Sequence, residues 1–238
     1  MNERELTGYP SIDKPWQQYY SEAALHAPLP ACTVWENIYE RNKARPDDTA
    51  LLYFGKKISY GKLFSEVDRT ARALAHLGVK NGDNAAVCMP AVPEAIYTIL
   101  ALNKLGANAG MLNPTFSEAQ LTERVNEMEA DVLLAVNELY PVVHNVILKT
   151  TVRHVVTCPA VNSLGAFARL AKKAKPIPGT ISWNTFIRQG QGTAYEIAPY
   201  EKQKPAIMVF SSGTTGASKG IQLTNDGINA TICEYENG

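Results

Sequence analysis

From residue 33 onward the apolar positions of this chain switch repeatedly between a spacing of two and a spacing of three or four. A spacing of two marks strands and one of 3.6 marks helices, so the switching predicts alternating elements. Thr33-Val-Trp-Glu36 has the form of a capping box and predicts a helix to about Lys43, ahead of Pro46. Thr49 to Phe54 predicts a strand, which Gly55-Lys56 turns into a second, Ile58-Ser-Tyr60. Leu63, Phe64, Val67, Ala71 and Leu74 then share one helical face, with Gly78 as the stop. Ala85 to Met89 predicts a buried strand. Pro93 to Leu105 predicts a helix, with Pro93 in its first turn and Gly106 at its end. Ala107 to Leu112 is strand-like, and Ser117-Glu-Ala-Gln120 is a second capping box opening a helix to about Glu129. Asp131 to Val136 predicts a strand, Glu138 to Leu148 a helix and Val152 to Cys158 a strand. Strands alternating with helices of this length need crossover connections, so the expected class is α/β, a doubly wound, mainly parallel sheet with flanking helices.

Residues 172–204 interrupt the rhythm with Pro176, Pro178, Gly179, Gly190, Gly192 and Pro199. Only Trp183 to Ile187 suggests a short helix, and the segment reads as a surface excursion. Arg169, Lys172, Lys173 and Lys175 form a small basic cluster, which reads as a solvated helix end favoured by the dipole. Near the N-terminus, Trp16, Tyr19 and Tyr20 stand at i, i+3 and i+4, which predicts a short amphipathic segment docked on the domain. Glu127 and Glu129 are two apart at a helix end, do not share a face, and read as solvated.

Composition narrows the function classes. Hydrophobic residues make up 45% and charged residues 19% of 238, enough for a real core. Lys+Arg and Asp+Glu both number 23, so no basic excess points to nucleic acid. The four cysteines, Cys32, Cys88, Cys158 and Cys233, lack CxxC spacing and read as reduced, mostly buried thiols of a cytoplasmic protein. The histidines lack ligand spacing, so no metal cluster is expected from them. The first residues lead into polar sequence without an apolar core, so no signal peptide is read there. The most apolar region, 85–102, is broken by Pro90, Pro93 and Glu94 and is not a membrane span.

The candidate chemistry sits late in the chain, in Phe210-Ser-Ser-Gly-Thr-Thr-Gly-Ala-Ser-Lys-Gly220. Glycines free backbone N–H groups to point inward, hydroxyls add donors, and Lys219 adds charge, so such a loop can surround a polyphosphate. It narrowly misses the Walker A pattern: counted from Gly213, Ser218 stands where the second glycine belongs, and Gly220 where Ser or Thr would reach Mg²⁺. The flanks read strand–loop–strand, which argues against a P-loop NTPase. No G-x-G-x-x-G occurs, which argues against a dinucleotide fold.

The order of these residues resembles the phosphate-binding loop of the AMP-forming adenylating enzymes, the superfamily of acyl-CoA ligases, luciferase-like enzymes and peptide-synthetase adenylation domains. The departure is Ser218 where proline is usual, which should loosen the loop without removing a donor. Ile58-Ser-Tyr60-Gly-Lys-Leu63 resembles the family's early segment, with Lys62 in place of an acid. Leu102 to Ala107, through Asn113-Pro114, resembles a second. On residues alone, both read more simply as packing and turn sequence. Lys14-Pro-Trp16-Gln-Gln-Tyr19-Tyr20 resembles the N-terminal arm of bacterial fatty-acyl-CoA ligases.

The resemblance implies a division into an arm, 1–30, and an incomplete N-terminal α/β domain, 31–238. It implies that Ser212, Gly213, Thr214, Thr215, Gly216 and Lys219 hold the ATP phosphates, with Ser211 supporting the loop. It implies ATP, a small-molecule carboxylic acid and coenzyme A as substrates, and Mg²⁺ bound by residues downstream. Only 18 residues follow Gly220, and the family's metal-binding, ribose-binding and catalytic-lysine motifs all lie later. The expectation is an N-terminal piece of a longer ligase, activating an acid of the fatty class and inactive alone. An apolar face is expected where the rest would dock, with self-association as its consequence. An amino- or aryl-acid adenylating enzyme and a truncated binding module stay open as alternatives.

Overall fold

The computed structural model describes residues 7–164, 177–211 and 219–237. Two helical turns in the arm, α1 (Pro10–Asp13) and α2 (Glu22–Leu25), flank a 3-10 turn over Pro15–Tyr19, and none of the three buries a residue. Trp16 and Tyr20 are exposed and Tyr19 is 82% exposed, so the expected docked amphipathic segment is not formed. In a 3-10 turn residues three apart eclipse one another, and positions i and i+4 no longer share a stripe.

Helix α3 (Val34–Asn42) starts at the expected capping box: Thr33 Oγ1 accepts from Glu36 N at 3.1 Å and Glu36 Oε2 accepts from Thr33 N at 2.8 Å. A two-stranded hairpin, β1 (Thr49–Tyr53) and β2 (Lys56–Ser59), follows. Its turn lies at Phe54-Gly55, one residue earlier than expected, with φ 45° and 79°. Two consecutive left-handed residues suit a tight hairpin.

A seven-stranded sheet then forms from β3 (Asn84–Cys88), β4 (Asn108–Met111), β5 (Val132–Val136), β6 (His154–Cys158), β7 (Ile181–Ser182), β8 (Pro205–Ser211) and β9 (Lys219–Thr224). The order is β7-β6-β5-β3-β4-β8-β9, parallel throughout except for the antiparallel β8–β9 pair. The helices are α4 (Tyr60–His76), α5 (Pro93–Leu105), α6 (Glu118–Glu127), α7 (Tyr140–Ile147), α8 (Trp183–Gln189) and α9 (Asn225–Asn237). The helix expected over 138–148 is divided: a 3-10 turn at Asn137–Leu139 precedes α7, because Pro141 suits a helix start and not its interior.

The strands alternate between two cores. Ala85, Val87, Val132, Leu134 and Val156 face one, shared with α3, α4, α5 and α8. Ala86, Cys88, Leu133, Ala135 and Val155 face the other, beneath α6 and α7. Both faces of the sheet are therefore buried, which is why its strands read as continuous apolar runs. No helix among the described residues is long and apolar enough to cross a membrane.

In its described part, 177–204, the segment is not the surface excursion that its prolines and glycines suggest. Strand β7 extends the sheet beside β6, and Trp183, Phe186 and Ile187 of α8 are buried in the first core. Two residues of strand are too short to show a period. Further on, Ala198 N donates to Lys104 O at 3.0 Å, and Tyr195 OH donates to Asp68. Lys104 Nζ lies 3.3 Å from Asp68 Oδ1 and 4.6 Å from the centre of the Trp35 ring. Burial pulls the Lys104 ammonium below its ordinary pKa. Burial alone would raise Asp68, but hydrogen bonds from Tyr195 and Arg72 hold it low. The basic cluster at 169–175 lies outside the described residues.

Candidate functional site

In an open α/β sheet, ligands bind at the carboxyl ends of the parallel strands, near the point where strand order reverses. Here the chain runs from β3 to β4 on one side, then returns across β3 to β5 on the other. Strand β8 lies beside β4 and shares its direction, so the segment leaving β8 emerges at the carboxyl edge. That segment is the Gly/Ser/Thr-rich loop.

Its two ends are defined by hydrogen-bonded pairing. Ser211 pairs with Lys219, Phe210 with Gly220 and Val209 with Ile221. The expected strand–loop–strand arrangement is therefore present, with residues 212–218 as the connection. Ser212, Gly213, Thr214, Thr215 and Gly216, five of the seven expected site residues, lie outside the described residues. Of the other two, Ser211 ends β8 and Lys219 opens β9. Lys219 is exposed and forms no ion pair among the described residues.

Glycine at 220 has a packing reason. A Cβ there would stand 3.1 Å from Met208 Sδ and 3.3 Å from Phe210 Cε1. A larger residue would press on those two side chains.

Below the loop stands a residue that the sequence reading missed. Arg124 of α6 is 3% exposed, and its guanidinium lies between two rings, 5.1 Å from the Phe116 centroid and 5.4 Å from that of Phe210. Its Nη1 donates to Gln120 O at 3.1 Å and to Glu123 Oε2 at 2.8 Å, while Nε has no partner among the described residues. The stack ties α6 to the strand residue that launches the loop. A signal was present: Leu121, Arg124, Val125 and Met128 share the apolar face of α6, and an arginine there needs aromatic or acidic company.

The two supporting segments behave as packing and turn sequence. Ile58 and Leu63 are buried, and Ser59 Oγ caps α4 by accepting from Lys62 N. Gly106 ends α5 at φ 73°. Asn113 Oδ1 accepts from Thr115 N and Oγ1, each at 2.9 Å, and shapes the turn after β4. Glu127 and Glu129 are exposed, as expected. No group of three or more His, Cys, Asp or Glu among the described residues could hold a metal ion.

A doubly wound, mainly parallel sheet, with a Gly/Ser/Thr-rich segment leaving β8 at its carboxyl edge, defines an α/β protein of the open-sheet class. The family description "AMP-binding enzyme" matches residues 38–237, and the chain belongs to that family. It is 31% identical over 190 residues to acetyl-coenzyme A synthetase 1 of Candida albicans, covering 76% of this chain and 28% of that protein. It is 26% identical over 235 residues to a long-chain-fatty-acid–CoA ligase of Bacillus subtilis, covering 92% of this chain and 42% of that protein. Among solved structures, it resembles the anthranilate CoA ligase AuaEII in complex with anthranoyl-AMP, with a TM-score of 0.72 and 25% identity over 83% of this chain and 36% of that one. The fold is also that of a long-chain-fatty-acid-CoA ligase from Archaeoglobus fulgidus, with a TM-score of 0.71 and 20% identity over 88% and 40% of the two chains. The chain thus spans roughly a third of the length of the relatives it matches.

Proposed function

We propose that this chain supplies the ATP-phosphate site of an AMP-forming acid–CoA ligase. In that reaction a carboxylate attacks the α-phosphorus of ATP and forms acyl-AMP, with pyrophosphate leaving. The thiol of coenzyme A then displaces AMP and forms the thioester. Charge accumulates on the leaving pyrophosphate, so preorganised donors matter more than an acid–base pair. In this reading Ser212, Gly213, Thr214, Thr215 and Gly216 offer N–H and hydroxyl donors to the phosphates, Lys219 neutralises charge, and Ser211 anchors the loop. Mg²⁺ would supply further neutralisation of the phosphates, and no residue of this chain is assigned to it.

The observation that carries the reading is the pairing of Ser211 with Lys219 at the carboxyl edge, which holds both ends of a donor-rich loop on a rigid sheet. Equilibrium binding of ATP to the chain tests it. Pyrophosphate should compete and adenosine should not. Lys219→Ala should weaken ATP binding about tenfold, the usual value of a charge-assisted contact to phosphate, without lowering the unfolding midpoint. Wild-type affinity in the variant, or no ATP binding by the folded chain, overturns the reading.

The acid is read as a fatty acid, on the likeness of the Lys14 to Tyr20 arm, and the chain alone is read as inactive in adenylation. The likeness to an anthranilate CoA ligase favours an aryl acid as the second reading. Acid-dependent ATP–pyrophosphate exchange decides between them. It is measured with dodecanoate, acetate and anthranilate as separate arms, on a chain of the relatives' length that contains these residues. The lack of any disulfide among the four cysteines supports the cytoplasmic placement. Strand β9 is outermost in the sheet and exposes Ile221 and Leu223, which supports self-association of this chain through that edge.

A further inference from the structure

A polar cavity of about 500 Å³ opens on the carboxyl side of the sheet. The described residues lining it come from β2, α4, α5, α8 and the segment after β6, and none from β8 or β9. At its floor stands Glu94, 2% exposed, in the first turn of α5. Glu94 Oε1 accepts from Asn162 Nδ2 and from Ser163 Oγ, both at 2.7 Å. Glu94 Oε2 is buried and has no hydrogen-bond partner among the described residues. A buried carboxylate oxygen without a donor is costly, and proteins keep such groups chiefly where something else completes them.

The lining is also cationic. Lys57 is exposed and makes no ion pair among the described residues. Lys62 Nζ and Arg69 Nη1 converge on one oxygen of Glu66, at 2.6 and 2.8 Å. With Lys56, whose Nζ donates to Ser163 O at 2.8 Å, the lining holds four cations against two carboxylates. The cavity therefore presents a donor-hungry carboxylate within a lining that carries an excess of positive charge.

We propose that this cavity binds a small amine-bearing phosphomonoester, with the ammonium on Glu94 and the phosphate on Lys57, Lys62 and Arg69. Such a molecule carries one group of each charge, as the lining does. Three cationic side chains suit a dianionic phosphate, and a single ammonium supplies what Glu94 Oε2 lacks.

Isothermal titration calorimetry of the chain with O-phosphoethanolamine, ethyl phosphate and ethanolamine tests the assignment. The wild-type chain should bind O-phosphoethanolamine saturably and at least about tenfold more tightly than either single-ended probe. Glu94→Gln keeps the shape and should abolish that advantage while leaving ethyl phosphate unaffected. Lys57→Ala, at an exposed position that the fold does not need, should weaken both phosphate probes several-fold. Absence of saturable O-phosphoethanolamine binding overturns the proposal, as does an undiminished advantage in Glu94→Gln. Should Glu94→Gln fail to fold, the Lys57→Ala arm decides, and unchanged affinity for both phosphate probes overturns it. Binding that disappears in Lys219→Ala belongs to the β8–β9 loop and also overturns it.

Discussion

At Gly190 the end of α8 meets α4 so closely that a Cβ would lie 2.4 Å from Ala73 Cα and 2.5 Å from Ala73 N. The backbone dihedral there is ordinary, φ −75°, so the glycine answers to the close approach and not to a turn. Gly192, two residues on, has φ 80° and open space around it. Alanine at these neighbours should therefore act differently. Gly190→Ala must move one backbone against another and should cost about 3 kcal/mol or more. Gly192→Ala meets only the left-handed penalty, about 1 kcal/mol. Urea unfolding of the two variants checks the order, and equal losses would contradict the packing at Ala73. The cysteines follow burial in the same way. Burial pushes the Cys88 thiol up to about 11 and the Cys158 thiol higher still, so both stay protonated and unreactive at neutral pH.

Among the elements, the start of α3 shows how a helix end is completed from a distance. A helix leaves its first N–H groups without partners of its own. Thr33 Oγ1 serves Glu36 N, as the local sequence predicts. Val34 N instead donates to Asn225 Oδ1 at 3.0 Å, and Trp35 N to Asn103 Oδ1 at 2.8 Å. Asn103 Nδ2 also donates to Asn225 Oδ1, at 2.9 Å, so one buried amide pair joins α3, α5 and α9. Asn37 and Asn229 form a second link between α3 and α9, at 2.9 Å. Asn225→Ala leaves two buried donors unpaired and should cost about 1–3 kcal/mol. Asn103→Ala should cost a similar amount, and the double variant less than the sum, because the two residues share one network. A double-mutant cycle by urea unfolding measures the coupling, and strict additivity would show that the asparagines act separately.

Across the whole molecule, the three tryptophans divide between the first core and the arm. Trp35, in the first turn of α3, packs edge to face against Phe64 at 5.7 Å. Trp183 is buried where α8 meets the first core. Trp16 stands in the arm at 45% exposure, in a turn that buries no residue. Iodide should therefore quench one component of the fluorescence. Trp16→Phe should remove that component and leave the unfolding midpoint within about 0.5 kcal/mol of wild type, the usual range for a surface change. A loss of stability well above that would place the arm on the domain after all and count against the proposed division near residue 30.

Local grammar carried much of this protein. Capping residues at Thr33 and Ser117, the stop at Gly106 and the two spacings of apolar residues act within one or two turns of chain, so α3, α4, α5, α6 and the strands they connect are legible in sequence. The strand–loop–strand setting of the Gly/Ser/Thr loop was legible too, because a hairpin is local. Sheet order, by contrast, rests on contacts between residues far apart in the chain. β7 has only two residues and gains its place by pairing with β6, so no period announces it. The same distance hid Arg124, whose partners Phe116 and Phe210 lie on different elements, and Glu94, whose partners Asn162 and Ser163 come almost 70 residues later. Sequence determined which elements form and where the donor-rich loop falls. Only tertiary structure decided which side chains lose their water, and a buried charge takes its chemistry from the partners that packing brings to it.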